Sequence, residues 1–192
     1  MAVAGRHGVT ADTPKNVLFG AGTYHKGMSF DTSSGTLTAG TIIGATNGGG
    51  SIEIKGEITS LEIDGAYVKF KGQEVMTGGT ATIEATFTEL TPDIAATAMI
   101  GKTTSGTNYK MVDPKATIEE GDYVEGFGFV GYTADGSKKV IAILDYALCT
   151  SGFKVESKNK GQGTVTLTME AYAENSGNLD TIPAKIFFVD EI

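Results

Sequence analysis

Two histidines, one cysteine and scattered carboxylates are the residues of this chain whose types could do chemistry. His7 and His25 lie in the N-terminal region, with no further histidine or cysteine at zinc-ligand spacing. A nucleophile–base triad would have to draw one of them into a pocket from a segment expected to be an arm or an edge. Cys149 closes the apolar run VIAILDYALC and reads as a buried, inert thiol. As the sole cysteine it permits no intramolecular disulfide. GFGFVG, residues 126–131, has the glycine spacing of a dinucleotide fingerprint. That fingerprint needs a helix directly after it, and here the turn TADGS and another strand follow. Its glycines are read as relief of crowding inside a strand. Asp145, flanked by Leu144 and Tyr146, is expected to be a sheet-face carboxylate, either hydrogen-bonded or paired across to a lysine. No acidic loop has EF-hand spacing. The expectation is a protein that is no enzyme and uses no metal or cofactor.

The elements that would position these residues are mostly strands. The 27 glycines, the 4 prolines, the absence of tryptophan and the alternating threonine runs TATIEATFTEL and TVTLTMEAYAE all favour extended backbone. Residues 1–16 read as an N-terminal arm, and residues 17–192 as a single domain. NVLF and TYHKGMSF are short strand candidates, followed by the turn DTSSG and a strand from Thr36 to Ile43. A glycine-rich loop, Gly44 to Gly50, then leads into SIEIKGEI. There Ile52, Ile54 and Ile58 share one face; after Ser60 the parity flips to Leu61 and Ile63, which predicts a bulge or bend. IDGAYVKFKGQEVMTGG reads as two short strands with glycine turns. The one helix expected spans residues 92–100, with Thr91 as its N-cap, Pro92 in its first position and Gly101 at its C-terminal end. It is expected to plug one end of a sandwich.

Residues 102–122 read as a loop with a brief strand near Tyr109 to Val112. YVEGFGFVGY and KKVIAILDYALCT form a hairpin, its second strand apolar on both faces and therefore central. GFKVESKN and TVTLTMEAYAEN make another pair, and TIPAKIFFVDEI ends the chain extended. The fold class is all-β, a β-sandwich or barrel with one short α-helix and extended arms.

With 23 acidic against 15 basic residues, the formal net charge of −8 argues against gripping nucleic acid, which depends on cations displacing counterions from phosphate. The N-terminus lacks the apolar core of a signal peptide, and no run is long enough to span a membrane as a helix; a cytoplasmic start is expected. Three outward strand faces stand out. They carry Ser51, Glu53, Lys55 and Glu57; Thr80, Thr82, Glu84, Thr86 and Thr88; and Thr164, Thr166, Thr168 and Glu170. They are short, polar and poor in cations. Threonine is a good strand former, so ordinary solvent faces would look much the same. The sharper reading is a surface that faces a polyanion without binding it.

The ordered string GATNGGGSIEIKGEITSLEIDGAYVKFKGQEVMTGGTATIEATFTELT resembles the first half of major tail proteins, the tail-tube subunits of long-tailed phages of Gram-positive bacteria. The likeness rests on the GAT glycine loop, the EI…EIDGA strand and turn, the KG turn, and GGTATIEATFTEL with its capped helix. It covers roughly residues 15–101. The resemblance implies hexameric rings stacked into a tube around a tape-measure protein, joined to tail terminator and baseplate proteins. It further implies a lumen through which DNA passes unbound during ejection, no membrane insertion, and a place in the virion tail after assembly in the host bacterial cytoplasm. Glu53, Glu57, Thr82, Glu84, Thr86, Thr166 and Glu170 would then face the lumen. The arm to Asn16, the loop with Gly44, Asn47, Gly48 and Gly50, and the terminus from Phe187 to Ile192 would reach the next ring.

The alternative is a carbohydrate-binding or adhesion module, for which Tyr67, Tyr123, Phe127, Phe129 and Tyr132 would supply stacking faces. Lack of tryptophan and of a signal peptide weighs against it.

Overall fold

The computed structural model describes residues 8–190. A one-turn helix α1 (Thr13–Asn16) opens it, with Pro14 and Lys15 exposed. The strands that follow are β1 (Leu18–Lys26), β2 (Ser29–Asp31), β3 (Thr36–Thr38), β4 (Thr41–Ile42), β5 (Thr46–Ser60) and β6 (Glu74–Phe87). Helix α2 (Pro92–Met99) separates these from β7 (Gly101–Ser105), β8 (Lys110–Pro114), a 3-10 turn (Glu120–Asp122), β9 (Val124–Thr133) and β10 (Lys138–Cys149). The chain ends with β11 (Val155–Glu156), β12 (Thr164–Tyr172) and β13 (Ala184–Asp190). The all-β expectation, with one short capped helix, holds.

The main sheet runs in the order β4-β1-β9-β10-β12-β6-β5, every pairing antiparallel. It forks at β10. One edge of β10 pairs with β9 along nearly its whole length; the other pairs with β13 from Lys138 to Leu144 and with β12 from Tyr146 to Cys149. Asp145 sits at the fork. Its N–H donates to the Pro183 carbonyl at 3.0 Å, and Lys185 reaches its carboxylate at 2.5 and 2.8 Å. Of the two arrangements expected for Asp145, the cross-sheet lysine is therefore present.

The sheet curls until its ends meet. The chain between β4 and β5 serves both edges: Ile43 N–H donates to the Tyr24 carbonyl, and Thr88 N–H to the Ala45 carbonyl. Inside lies the main core, where Ile83, Ala85, Phe87, Leu144, Leu167 and Met169 are fully buried around Tyr24 and Phe127. Each large apolar side chain removed from water there contributes about 1.5–3 kcal/mol. Helix α2 enters this core with Ile94 and Ala98. Its N-terminus is held as expected, with Thr91 Oγ1 accepting from Ile94 N–H at 3.2 Å.

A second cluster lies on the opposite face of β9 and β10. Ile141, Ile143, Val130 and Met28 pack there under the β2–β3 hairpin and β13, where Phe30 stacks on Phe187 at 4.2 Å. Strand β10 is thus covered on both faces, as its unbroken apolar run predicts.

Several local expectations are corrected. The glycine stretch is not a loop: from Thr46 it belongs to β5, with a register shift between Thr46 and Gly50. Only its two ends are paired, Thr46 with Phe87 and Gly50 with Ala85; Gly48 and Gly49, in the irregularity between them, take the positive φ that glycine permits. Residues 61–73 hold no strand; β6 starts only at Glu74, and β5 with β6 forms one long hairpin. The predicted bulge exists but lies before the parity flip, between Glu57 and Ile58. Thr36 to Ile43 is two short strands rather than one, broken at Gly40 (φ 66°). Leu18 and Phe19 of NVLF join TYHK in β1, while Asn16 ends α1. The residue closing α2 in the left-handed region is Ile100 (φ 52°), not Gly101. Gly101 starts β7 instead, where a Cβ would come within 2.8 Å of Val112 Cγ1. Residues 102–122 contain the β7–β8 hairpin as well as the 3-10 turn. GFGFVG lies inside β9, and there an added Cβ at Gly128 would meet Met28 Sδ and the Ala142 carbonyl. Crowding within the strand accounts for that glycine.

Candidate functional site

The three polar strand faces proposed from sequence are one surface. In the β12–β6 ladder Thr166 lies opposite Thr86, Thr168 opposite Glu84 and Glu170 opposite Thr82. In the β6–β5 ladder Glu84 lies opposite Ser51, Thr82 opposite Glu53 and Thr80 opposite Lys55. Inward residues such as Ile83, Ala85 and Leu167 alternate with these and are fully buried, so every named polar side chain points away from the core. Thr86 and Thr166 hydroxyls meet at 3.0 Å, and Thr168 donates to Glu84 Oε2 at 3.3 Å. Glu57 continues the face opposite Gly78. Lys55 is the only cation among these positions. Opposing threonines and a threonine–carboxylate contact hold the face with little positive charge.

Beyond Gly56 and Gly79 the β5–β6 hairpin leaves the body. The first seven residues of β6, Glu74 to Thr80, are all exposed, whereas Ala81 to Phe87 alternate with the core. Ile58 and Met76, paired across this extension, are 65% and 68% exposed. At its tip Leu61, Ile63, Val68 and Phe70 are exposed and Tyr67 is wholly so. Polar contacts order the extension: Ser60 donates to Glu74, Lys69 pairs with Glu74 at 2.8 Å, and Gln73 reaches the Leu61 carbonyl. Lys69 and the Ser60 hydroxyl hold the Glu74 carboxyl below its ordinary range. Of this extension only Glu57 was expected at a functional surface; the apolar tip was not. The parity flip after Ser60 was the available signal.

Of the positions assigned to inter-ring contact, most have contacts within the subunit. Gly44 lies against Glu89 and Ile94, with a Cβ there 3.3 Å from Ile94 Cδ1. A Cβ on Gly50 would collide with the Glu84 carbonyl and the Tyr24 hydroxyl. Asn47 reaches Gln162 at 3.4 Å, while Gly48 and Gly49 hold positive φ in open space. Phe187 packs on Phe30, and its neighbour Phe188 is 73% exposed. Ile192 and His7 lie outside the described residues.

His25 is not in an arm or at an edge. It lies within β1, paired with β4 on one side and β9 on the other, and is buried. Its Nε2 meets Thr23 Oγ1 at 2.8 Å, and burial pushes its pKa down. Cys149 is buried as expected. No group of three or more metal-ligating side chains comes together among the described residues. No helix among them is long and apolar enough to cross a membrane.

One concave feature, open to solvent on one side, was not foreseen. A cavity of about 390 Å³ lies between the 3-10 turn and the end of β12, lined by Tyr123, Tyr146, Tyr172, Glu119, Glu120 and Glu174. Tyr146 and Tyr172 face each other across the β10–β12 ladder, and the Tyr123 and Tyr172 rings meet edge to face at 5.3 Å. These tyrosines are far apart in sequence, and no local pattern announces their meeting. Of the stacking residues named for the carbohydrate alternative, Phe127 and Phe129 are buried in the core.

No protein-family model matches this chain, and no curated protein matches it.

Proposed function

We propose that the chain is a tube-forming structural subunit of a long-tailed phage tail, self-assembling through hexameric rings into a conduit for DNA. The observation that carries this reading is the union of Glu53, Glu57, Thr82, Glu84, Thr86, Thr166 and Glu170 on one face of three adjacent strands. A wall of short hydroxyls and carboxylates gives a passing duplex few cations to exchange for its counterions.

Two further features support assembly. Strand β5 ends the main sheet, and past the point where the sheet closes, its outer edge from Ser51 to Ser60 has no ladder partner among the described residues, about 34 Å at ~3.4 Å per residue. An edge of that length is a liability in a monomer and a ready site for strand addition by a second copy. The apolar tip of the β5–β6 hairpin exposes more hydrophobic surface than an isolated subunit has use for. In the tube, the β5 edge pairs laterally around the ring and the hairpin tip docks on the neighbouring ring. The contacts are head-to-tail, closing within a ring and repeating along the axis. Partners in this reading are further copies, the tape-measure protein, and the terminator and baseplate proteins at the tube ends.

Negative-stain electron microscopy over a concentration series, with and without tape-measure protein, tests this. Hollow rings or tubes are the expected result. Monomers at every concentration with the tape measure present would sink the reading.

A further inference from the structure

We propose that the tyrosine-lined cavity beside the 3-10 turn is a binding site for an organic cation, an alkylammonium or guanidinium group. It stands independently of the tube assignment.

Its volume, about 390 Å³, lies within the range of small-ligand pockets. Two of its walls are aromatic and set at a steep angle, with the Tyr123 and Tyr172 planes 70° apart. Tyr146 stands beside Tyr172 across the ladder, so three electron-rich ring systems border one small space. Such a corner attracts a cation through the ring quadrupoles and accommodates its methyl or methylene groups.

The charge around it has the matching sign. Glu119 is paired with Lys115, which also holds Asp122. Glu120 and Glu174 have no ion-pair partner among the described residues, and Glu125 lies directly opposite Tyr146 in the β9–β10 ladder. The field of these carboxylates, Glu174 foremost, pushes the Tyr146 hydroxyl above its ordinary pKa, together with burial and smaller effects of Glu125, Asp145 and Glu120. A site that opposes a phenolate this way favours a bound positive charge. A neutral sugar would gain the stacking but nothing from that field.

Ring-resonance NMR of the intact protein, titrated with tetramethylammonium chloride at constant ionic strength, tests the site. Tert-butanol and N-acetylglucosamine serve as neutral probes. The expected result is saturable shifts of the Tyr123, Tyr146 and Tyr172 rings with tetramethylammonium and with Nα-acetylarginine amide. Binding should weaken about tenfold in Glu174→Gln, an exposed position that leaves the fold intact, and disappear in Tyr172→Ala. Equal shifts with tert-butanol, preference for the sugar, unaltered affinity in Glu174→Gln, or no saturable shift would each overturn the proposal. Sedimentation of the same samples separates the sources of the cation. A probe that lowers self-association displaces a side chain of a second copy; one that leaves it unchanged occupies a site for a free amine.

Discussion

Strand β6 is two different strands joined end to end. From Ala81 to Phe87 every second residue is buried in the core; from Glu74 to Thr80 none is. The ladder runs through both halves, with β5 paired to β6 from Gly50 to Ser60 and broken only by the bulge between Glu57 and Ile58. Secondary structure is therefore shared while the source of stability is not. The inner half is fastened by Ile83, Ala85 and Phe87 against Leu167, Met169 and Tyr24. The outer half is a two-stranded ribbon, which is at best marginal in water by itself.

Side-chain truncation on each side of the Thr80–Ala81 boundary should separate the two halves most strongly. Ile83→Ala should cost about 2–5 kcal/mol in urea unfolding of the monomer. Met76→Ala, on the outer half, should change it by less than about 0.5 kcal/mol. Comparable losses at the two positions would mean that the extension is covered in the isolated chain. The opposite pattern is expected for assembly. Tyr67→Asp with Val68→Asp should leave the monomer's unfolding midpoint unchanged and abolish tubes in electron micrographs.

A smaller effect tests the recruitment of the glycine stretch into β5. Gly50→Ala drives a methyl group into the Glu84 carbonyl and the Tyr24 hydroxyl, and should destabilise by about 1–3 kcal/mol. Thr91→Ala removes the cap of α2 and should cost about 1 kcal/mol. Either loss should leave the outer hairpin's amide exchange unaltered.

The smallest expected effect concerns pH. Asp31 accepts from the Ser33 and Ser34 hydroxyls and from Ser33 N–H, and these bonds lower its pKa to about 2. The depressed value means that its contribution to the β2–β3 hairpin is complete above the ordinary aspartate range of ~4. It fades as pH falls toward 2. Amide exchange at Ser33 should accelerate in that window, and Asp31→Asn should remove most of the pH dependence. The hairpin covers Ile141 and Ile143 with Phe30 and Leu37, so it links a surface carboxylate to the core.

Much of this architecture was legible because it is written in short periods. Alternation placed Ala81, Ile83, Ala85 and Phe87 inward; Thr91 and Pro92 marked the start of α2; the doubly apolar run of β10 announced a strand covered on both sides. Each depends on residues a few positions apart, where sterics and burial periodicity act directly. What tertiary structure alone decided is pairing at long range. It brought Glu53, Thr82 and Glu170 into one row, drew the glycines before Ser51 into a strand, and buried His25 between two neighbours. It also forked the sheet at Asp145 and gathered three distant tyrosines around one cavity. Alternation establishes that a side chain faces outward but not which strand lies beside it. Register comes from packing the whole sheet around one core, and that is a property no single segment contains.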